Sequence, residues 1–261
     1  MNNLHSSDYD MYFFNPFTRD LINLPRFGKP DHKFAFSCAP TMSTCVVFSI
    51  CIHLLPHHDS ISTWSPGAME WVTESFKNQL YLSNGQWRNI VFSDGLFYCL
   101  TNRDKIGVFD PSARYWRVLI VLRPRMHHFL EGAWYVAEHK GHIFLIDAAS
   151  SRKPVVFRLN RSPLIWAEKH TLKGSTIFAS PASCVFKPEL TGTTRNKVYF
   201  SKMPFNSTSC MSYSFDERRY FPDRTEGEDF ANPQEDFNIS AFTTIDSEID
   251  ISSIFGDKLR I

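Results

Sequence analysis

The stretch Phe109-Asp-Pro-Ser-Ala-Arg-Tyr-Trp116 decides the fold, because the chain repeats it. Trp64-Ser-Pro-Gly-Ala-Met-Glu-Trp71 has the same order of an aromatic residue, a proline, an alanine and a closing tryptophan. Looser copies begin at Phe14, Phe157 and Tyr213, so the first aromatic residues of successive copies lie 50, 45, 48 and 56 residues apart. A period in this range indicates an array built from one recurring unit.

Each copy predicts two strands joined by a tight turn. Proline presets the backbone of the turn, and a residue such as Asp110 just before it can hydrogen-bond the local backbone. A tryptophan at the far end is large enough to fill the space between two packed sheets. Units of this kind bury their faces only by stacking on neighbours, and radial stacking leaves short, protected edges. The sequence therefore predicts an all-β protein, a β-propeller with about five recognisable blades.

The repeats also predict how the chain is organised. We expect a flexible N-terminus, the propeller blades, an acidic mobile segment and C-terminal strands, at residues 1–11, 12–222, 223–238 and 239–261 respectively. The first blade lacks its inner strands, so the ring is either completed by the strands in 239–261 or left incomplete. The fifth blade is predicted to contain the strands Ser183–Lys187, Lys197–Ser201, Ser209–Phe215 and Tyr220–Phe221.

Composition narrows the class of protein. Aromatic residues make up 15% of the chain, which favours sheet over helix. The net charge is +1 at pH 7, and this balance calls for neither a nucleic acid nor a membrane as partner. The six cysteines include no Cys-x-x-Cys pair, which fits free thiols in a reducing compartment. With no signal peptide visible at the start, we expect a cytoplasmic or nuclear protein.

The order and spacing of several segments resemble a plant family, the F-box/kelch-like proteins with a KIB1-4-type (DUF295) β-propeller domain. The resemblance is carried by Phe13-Phe-Asn-Pro-Phe-Thr-Arg-Asp-Leu-Ile-Asn-Leu-Pro25, Ser37-Cys-Ala-Pro-Thr41, Trp64-Ser-Pro-Gly67 and Phe92-Ser-Asp-Gly-Leu-Phe-Tyr98. It implies a kelch-like propeller that recognises the substrate of an SCF-type ubiquitin ligase. In the family, an N-terminal F-box docks onto a Skp1-type adaptor.

The chain departs from the family plan at its start. The first turn unit begins at residue 12, which leaves no room before it for the helices of an F-box. The sequence therefore predicts a propeller without a visible F-box, and this puts the Skp1-type adaptor in doubt as a partner. The predicted partner is a protein substrate or regulatory protein.

The chain contains residue types that bind metals or act in catalysis, but their spacing does not predict a metal site or an active site. His139 and His142 have a ligand-like spacing, yet they flank the predicted turn at Lys140-Gly141, which favours turn histidines over a zinc site. The pairs His57-His58 and His127-His128 fall in predicted loops. No nucleophile elbow, phosphate-binding loop or dinucleotide fingerprint occurs. We therefore predict no enzyme activity, no catalytic, cofactor-binding or metal residues and no cofactor, and the partner-binding residues stay unknown.

The sequence supports a protein-binding propeller whose loops form the recognition surface. Three polar loops are the first candidates: Asp31–Thr44, Arg123–Glu131 and Thr191–Asn196. Two alternatives stay open, a propeller enzyme such as a glycosidase or oxidase that uses the central channel, and a non-functional truncated paralogue. The partner's identity, the binding rim and the number of blades are not fixed by the sequence.

Overall fold

The structure is a computed structural model of the 261-residue chain, and it describes eleven segments of it. These are residues 9–14, 19–29, 31–52, 57–78, 86–101, 104–122, 134–148, 153–180, 184–188, 192–201 and 211–221. Within these segments the regular structure is β-strand, apart from one short 3-10 helix at Gly192–Thr194. The predicted N-terminal and C-terminal segments lie largely outside them, so the predicted domain boundaries stay predictions; the first strand begins at Tyr9.

The described residues divide into two units, one ending at Ile120 and one beginning at Val121. The first unit contains three antiparallel sheets, whose strands follow chain order within each sheet. They are β1 (Tyr9–Phe14) with β2 (Leu21–Phe27); then β3 (His32–Phe36), β4 (Val47–Cys51), β5 (His58–Trp64) and β6 (Val72–Lys77); then β7 (Trp87–Ser93), β8 (Leu96–Thr101), β9 (Lys105–Asp110) and β10 (Tyr115–Ile120).

The second unit contains two sheets. The first has four antiparallel strands in chain order, β11 (Trp134–His139), β12 (His142–Asp147), β13 (Val155–Arg161) and β14 (Leu164–Lys169). The second has five strands in the spatial order β16-β15-β17-β18-β19. Their bounds are β15 (Thr176–Ala179), β16 (Cys184–Lys187), β17 (Lys197–Phe200), β18 (Met211–Ser214) and β19 (Arg219–Phe221).

The repeated turn units join the last two strands of each sheet in chain order, and a proline stands between those strands in the first four sheets but not in the fifth. Asp110 shows how the turn is held, because its Oδ1 accepts hydrogen bonds from the backbone N–H groups of Ser112 (2.9 Å) and Ala113 (3.0 Å). The hydroxyl of Ser112 also donates to this oxygen, at 2.7 Å. These hydrogen bonds lower the pKa of Asp110 below its ordinary value, the Ser112 hydroxyl contributing most. The predicted role of Asp110 is confirmed.

Two-residue turns connect the first two strands of the third and fourth sheets. Asp94 and Gly95 have φ angles of 49° and 81°, and Lys140 and Gly141 have 49° and 75°. Positive φ at both central residues is the hairpin turn that matches the right-handed twist of the flanking strands. The turn at Lys140-Gly141 was predicted from this dipeptide, and the prediction is confirmed.

The sheets pack through aromatic side chains. In the first unit, Trp116 of β10 is 4% exposed and belongs to one buried cluster with Phe48 of β4, Phe97 of β8 and Phe109 of β9. The rings of Phe48 and Phe97 stack with centroids 4.8 Å apart, which joins the second sheet to the third. The closing tryptophan of the repeat therefore fills the space between neighbouring sheets, as predicted.

The sheet β1-β2 is the outer half of such a unit. Its turn falls at the repeat position that joins the last two strands of the other sheets, and the structure describes two strands in it. Phe13 and Leu24 face β3–β6, where Phe13 meets Phe36 edge-to-face at 5.6 Å. Tyr12 and Phe14, on the opposite face of β1, are 59% and 55% exposed. The strands proposed to complete this sheet, in 239–261, lie outside the described residues.

The fifth sheet differs from the sequence prediction. The predicted blade began at Ser183 and ran sequentially, but β15 lies earlier in the chain and is inserted between β16 and β17. It pairs antiparallel with β16 and parallel with β17, with Ile177 opposite Val198. The predicted neighbours β16 and β17 are therefore not paired with each other, and this part of the prediction is wrong.

Candidate protein-binding surfaces

A buried carboxylate fixes the packing of the second and third sheets. Asp59 of β5 is 1% exposed and accepts hydrogen bonds from the indole N–H groups of Trp87 (3.1 Å) and Trp116 (3.2 Å). Burial raises the pKa of Asp59 above its ordinary value, although the indole hydrogen bonds oppose this shift. Both carboxylate oxygens are occupied by core donors, so Asp59 holds the scaffold that positions the loops.

An exposed ion pair joins the same two sheets. Arg114 lies in the turn before β10, and its Nη2 is 2.7 Å from Oε2 of Glu74 on β6. Its Nε donates to both oxygens of that carboxylate at 3.0 Å. The geometry is well aligned, but exposed pairs of this kind contribute at most about 1 kcal/mol. The buried contacts, which include the stacked Phe48 and Phe97 rings and the tryptophan hydrogen bonds to Asp59, therefore link the two sheets more strongly than this ion pair does.

Of the three loops predicted for partner binding, the structure describes the first and most of the third but not the second. The first, Asp31–Thr44, contains β3 and then a turn in which Met42 is 49% exposed. The third, Thr191–Asn196, contains the 3-10 helix, and the Asn196 side chain accepts from the N–H of Gly174 and donates to Asp216. Arg123–Glu131 lies outside the described residues. The structure does not single out any of the three, so their role stays a prediction.

The histidines are placed as parts of strands and turns. His139 and His142 lie directly opposite each other at the hairpin turn, and the ring of His139 stacks on Phe186 at 4.6 Å. His58, predicted to lie in a loop, is the first residue of β5. His127 and His128 lie outside the described residues. Within the described segments, no group of three or more histidine, cysteine, aspartate or glutamate side chains is placed to hold a metal ion.

The cysteine side chains are free thiols in the described segments, at positions 38, 45, 51, 99 and 184. Burial raises the pKa of the Cys99 and Cys45 thiols above the ordinary value, and raises that of Cys184 to about 12. A thiol with a raised pKa carries little reactive thiolate at neutral pH. These three cysteines therefore behave as small apolar core residues.

The second unit contains a basic cleft that the sequence reasoning missed. It has a volume of about 280 Å³ and lies between the β13–β14 end of the fourth sheet and the β18–β19 turn of the fifth. Lys153, Lys169 and Arg218 line it together with Tyr213 and Phe215. These residues are far apart in the sequence and meet only through the packing of the fourth sheet on the fifth, so no local pattern could have revealed them.

The described segments contain no helix long and apolar enough to cross a membrane. What they do contain is a series of mainly antiparallel sheets, each packed on a neighbour in its unit through aromatic rings, and in each sheet the repeated turn unit joins the last two strands in chain order. An all-β protein made of propeller blades is the class that these observations define.

Comparison with known proteins identifies the family. Residues 2–229 match the KIB1-4 β-propeller, and the chain belongs to this family. It is 46% identical over 207 residues to "F-box protein At1g49360" of Arabidopsis thaliana, covering 77% of this chain and 41% of that protein. It is 42% identical over 217 residues to "F-box/kelch-repeat protein At1g57790" of the same plant, covering 79% of this chain and 59% of that protein.

A third Arabidopsis thaliana relative, "F-box protein At3g56470", is 39% identical over 184 residues, which cover 70% of this chain and 49% of that protein. The chain thus spans about half the length of the curated relatives it matches. The resemblance to the plant F-box/kelch-like propeller family and the β-propeller fold are both confirmed.

Proposed function

We propose that the chain is a protein-binding β-propeller that recognises a protein substrate for an F-box-type ubiquitin ligase. The observation that carries the proposal is the 46% identity to a protein named as an F-box protein, over 77% of the chain. The structure supplies a physical reason for a binding role, because rigid sheets locked by Asp59 and the core tryptophans present turns and loops at their ends.

Catalysis in a central channel is the competing function. It would need carboxylates, or histidine and tyrosine ligands, that converge on a substrate. Asp59 does not serve such a role, because two indole N–H groups occupy its oxygens inside the core. His139 is stacked on an aromatic ring at a hairpin turn. Because Asp59 and His139 are engaged in these core and turn contacts, we favour a binding function over catalysis.

The link to a ligase needs helices that the described segments do not contain. We therefore propose that a second polypeptide supplies the helices that dock onto a Skp1-type adaptor. Recombinant chain, mixed with a purified adaptor, is expected to show no direct binding by light scattering or calorimetry. Direct binding would contradict the prediction that the sequence lacks an F-box.

The binding role is tested by capturing partners in plant cells treated with a proteasome inhibitor. Epitope-tagged chain is cross-linked in the cells, and each recovered protein is then purified and mixed with the purified chain. We expect at least one to bind directly, and its half-life to shorten when the chain is joined to an F-box and overproduced. Direct binding without a change in half-life would refute the ligase role, and absence of direct binding would refute the recognition role.

Two exposed methionines provide a matched pair for mapping the contact. Met42 lies in the first predicted loop and Met69 in the β5–β6 turn, and they are 49% and 91% exposed. If the loop Asp31–Thr44 contacts the partner, Met42→Asp weakens binding at least about tenfold, whereas Met69→Asp leaves it unchanged. Equal affinity of the two variants would exclude this loop.

A further inference from the structure

Two cysteines stand opposite each other just beyond the paired part of β3 and β4. The ladder continues for one step past the two strands, because the backbone N–H of Ser37 donates to the carbonyl of Val46 at 3.0 Å. The next residues on the two sides are Cys38 and Cys45. Opposite residues of an antiparallel pair have Cα atoms about 4.5–5.5 Å apart, and a disulfide spans about 4.4–6.8 Å. The backbone therefore holds this pair at a distance that a disulfide can bridge.

The two thiols also lie in the same apolar cluster. Cys45 is buried there with Val47 and Trp64, and Cys38 packs against the cluster. The thiol of Cys45 donates to the backbone carbonyl of Cys38 at 3.3 Å. Burial raises the pKa of the Cys45 thiol, and the Cys38 thiol beside it raises this pKa further, although the hydrogen bond to the carbonyl opposes both. The two side chains are thus neighbours in the reduced chain.

The two thiols differ in access to solvent. Cys45 is 0% exposed, whereas Cys38 is half-buried, and residues 41–44 of the turn between them are exposed. Formation of a disulfide by exchange needs one thiol that a reagent can reach and a second thiol close enough to attack the first. Cys38 fits the first requirement and Cys45 fits the second.

The sheet selects this pair, since spacing along the chain does not. Cys51 lies six residues after Cys45, and Cys38 lies seven residues before it. Cys51, however, is at the far end of β4, opposite His32. Six residues of strand span about 20 Å, which no disulfide can bridge. In the folded chain Cys45 can therefore pair with Cys38 but not with Cys51.

We propose that Cys38 and Cys45 are a modification site, where a reversible disulfide forms on reaction with a small oxidised thiol such as glutathione disulfide. The thiolate of Cys38 attacks one sulfur of glutathione disulfide, whose S–S bond breaks and releases one glutathione thiolate. The thiolate of Cys45 then attacks the Cys38 sulfur of the mixed disulfide and releases the second glutathione. The two cysteines lose two protons and two electrons, and one glutathione disulfide becomes two glutathione thiols.

The modification would change the first loop predicted for partner binding. The disulfide closes a ring of eight residues, 38–45, and Met42 lies inside this ring. A covalent ring restricts the conformations that the turn can adopt. The proposal concerns the chemistry of one turn and does not depend on a ligase role, and results that refute one leave the other standing.

The linkage is tested by treating the folded full-length chain with glutathione disulfide and then cleaving after methionine with cyanogen bromide. Cleavage after Met42 separates Cys38 from Cys45, so we expect the two fragments to stay joined until a reductant is added. Cys51→Ser should give the same result, which assigns the bond to Cys45. Free thiols at both positions, or links at Cys51 as frequent as those at Cys38, would overturn the proposal.

The unfolded chain is the matched control for this experiment. In concentrated urea the spacing along the chain alone decides which cysteines pair, so Cys45–Cys51 links should form alongside Cys38–Cys45 links. Cys99 is buried opposite Ile90 and Gly107, with no cysteine across from it, and its thiol should stay free in the folded chain. A folded chain that gives the same mixture of links as the unfolded one would show that the sheet does not select the pair.

The order of the two steps is tested with Cys45→Ala, which keeps a small apolar side chain in the cluster. Without the second thiol the mixed disulfide cannot be resolved, so glutathione should accumulate on Cys38 at least about tenfold more than in the unsubstituted chain. Cys38→Ala should leave Cys45 unmodified, because Cys45 is buried. Tryptophan fluorescence confirms that both variants are folded. Equal amounts of mixed disulfide in Cys45→Ala and the unsubstituted chain would contradict the proposal.

Discussion

Gly107 shows how one residue controls the packing of a whole sheet. It lies on β9, diagonally across from Trp116 on β10, and the six-membered ring of that tryptophan covers its backbone. A Cβ atom at this position would overlap the ring atoms of Trp116. The ring is itself held by the hydrogen bond to Asp59, at 3.2 Å. The close approach therefore requires glycine, since the ring cannot move without loss of that bond.

We accordingly expect Gly107→Ala to lower the free energy of unfolding by about 1–3 kcal/mol, the range for overpacking a filled core. Urea denaturation followed by tryptophan fluorescence measures the change. Ser75→Ala, on the exposed strand β6, is the matched control and should stay within about 0.5 kcal/mol of the unsubstituted chain. A Gly107→Ala variant as stable as the control would show that the ring does not pack as described.

Asp59 makes the protein less stable as pH rises, whereas a carboxylate with a lowered pKa makes a protein more stable as pH rises. Its folded-state pKa is raised by burial above the ordinary value of 3.8, so at a pH just above 3.8 the folded state binds more protons than the unfolded state. The free energy of unfolding contributed by this group therefore falls as the pH rises through that window. Asp59→Asn removes the titration but turns an amide N–H₂ toward one indole N–H.

We expect the unsubstituted chain to be more stable than Asp59→Asn, with a difference in unfolding free energy that shrinks as pH rises from 4 to 7. Urea denaturation at a series of pH values measures it. Asp110→Asn is the control, because hydrogen bonds lower the pKa of Asp110, so its stabilising effect is lost only as pH falls below 3.8 and is constant between pH 4 and 7. Parallel slopes for the two variants would contradict the assignment of Asp59.

At the scale of secondary structure, the short strand β15 lies inside the fifth sheet, between β16 and β17. It is paired on both edges, antiparallel to β16 and parallel to β17, and all four of its residues are buried. Backbone amides in such a strand exchange with solvent only when the sheet opens. A short strand in the middle of a sheet should therefore be among the most protected parts of the second unit.

We expect peptides covering Thr176–Ala179 to exchange their amide hydrogens at least about tenfold more slowly than those covering β19 (Arg219–Phe221), which lies at the edge of the same sheet. Hydrogen–deuterium exchange with mass spectrometry gives both rates in one experiment. Peptides from β12, paired on both sides in the fourth sheet, are the protected reference. Exchange of β15 at the rate of β19 would contradict its central place.

Strand β15 also shows which features of the fold could not be predicted from the sequence. Turns such as Asp110-Pro111 and Lys140-Gly141 are local, so their residues alone predicted hairpins in the third and fourth sheets. Thr176–Ala179 is short and buried on both faces, so it has no alternation that marks a strand. Its parallel partner β17 is about twenty residues away in the chain. The basic cleft was missed for a related reason, because only the packing of the fourth sheet on the fifth places Lys169 near Tyr213.

At the scale of the whole molecule, the near-neutral net charge conceals a separation of charge. The chain carries +1, and residues 222–236 carry −5, so the remaining residues carry +6. The balanced composition calls for neither a nucleic acid nor a membrane as partner, and this prediction concerns the sum of the charges rather than their distribution.

The distribution of metal-ligating residues leads to a prediction for the whole protein. Structural zinc sites need three or four converging cysteine or histidine ligands, and their binding energy contributes directly to folding. In this chain His139 is stacked on Phe186, and burial raises the thiol pKa of Cys45 and Cys99, which opposes the thiolate form that binds metal.

We therefore expect dialysis against EDTA to leave the melting temperature within about 1 °C of its starting value, and added zinc not to raise it. Differential scanning calorimetry provides the measurement, and His142→Ala, which removes an exposed turn imidazole, should respond to both treatments as the unsubstituted chain does. A fall of several degrees after chelation that zinc reverses would mean that the protein depends on a metal centre, and the proposal of a metal-free binding propeller would have to be abandoned.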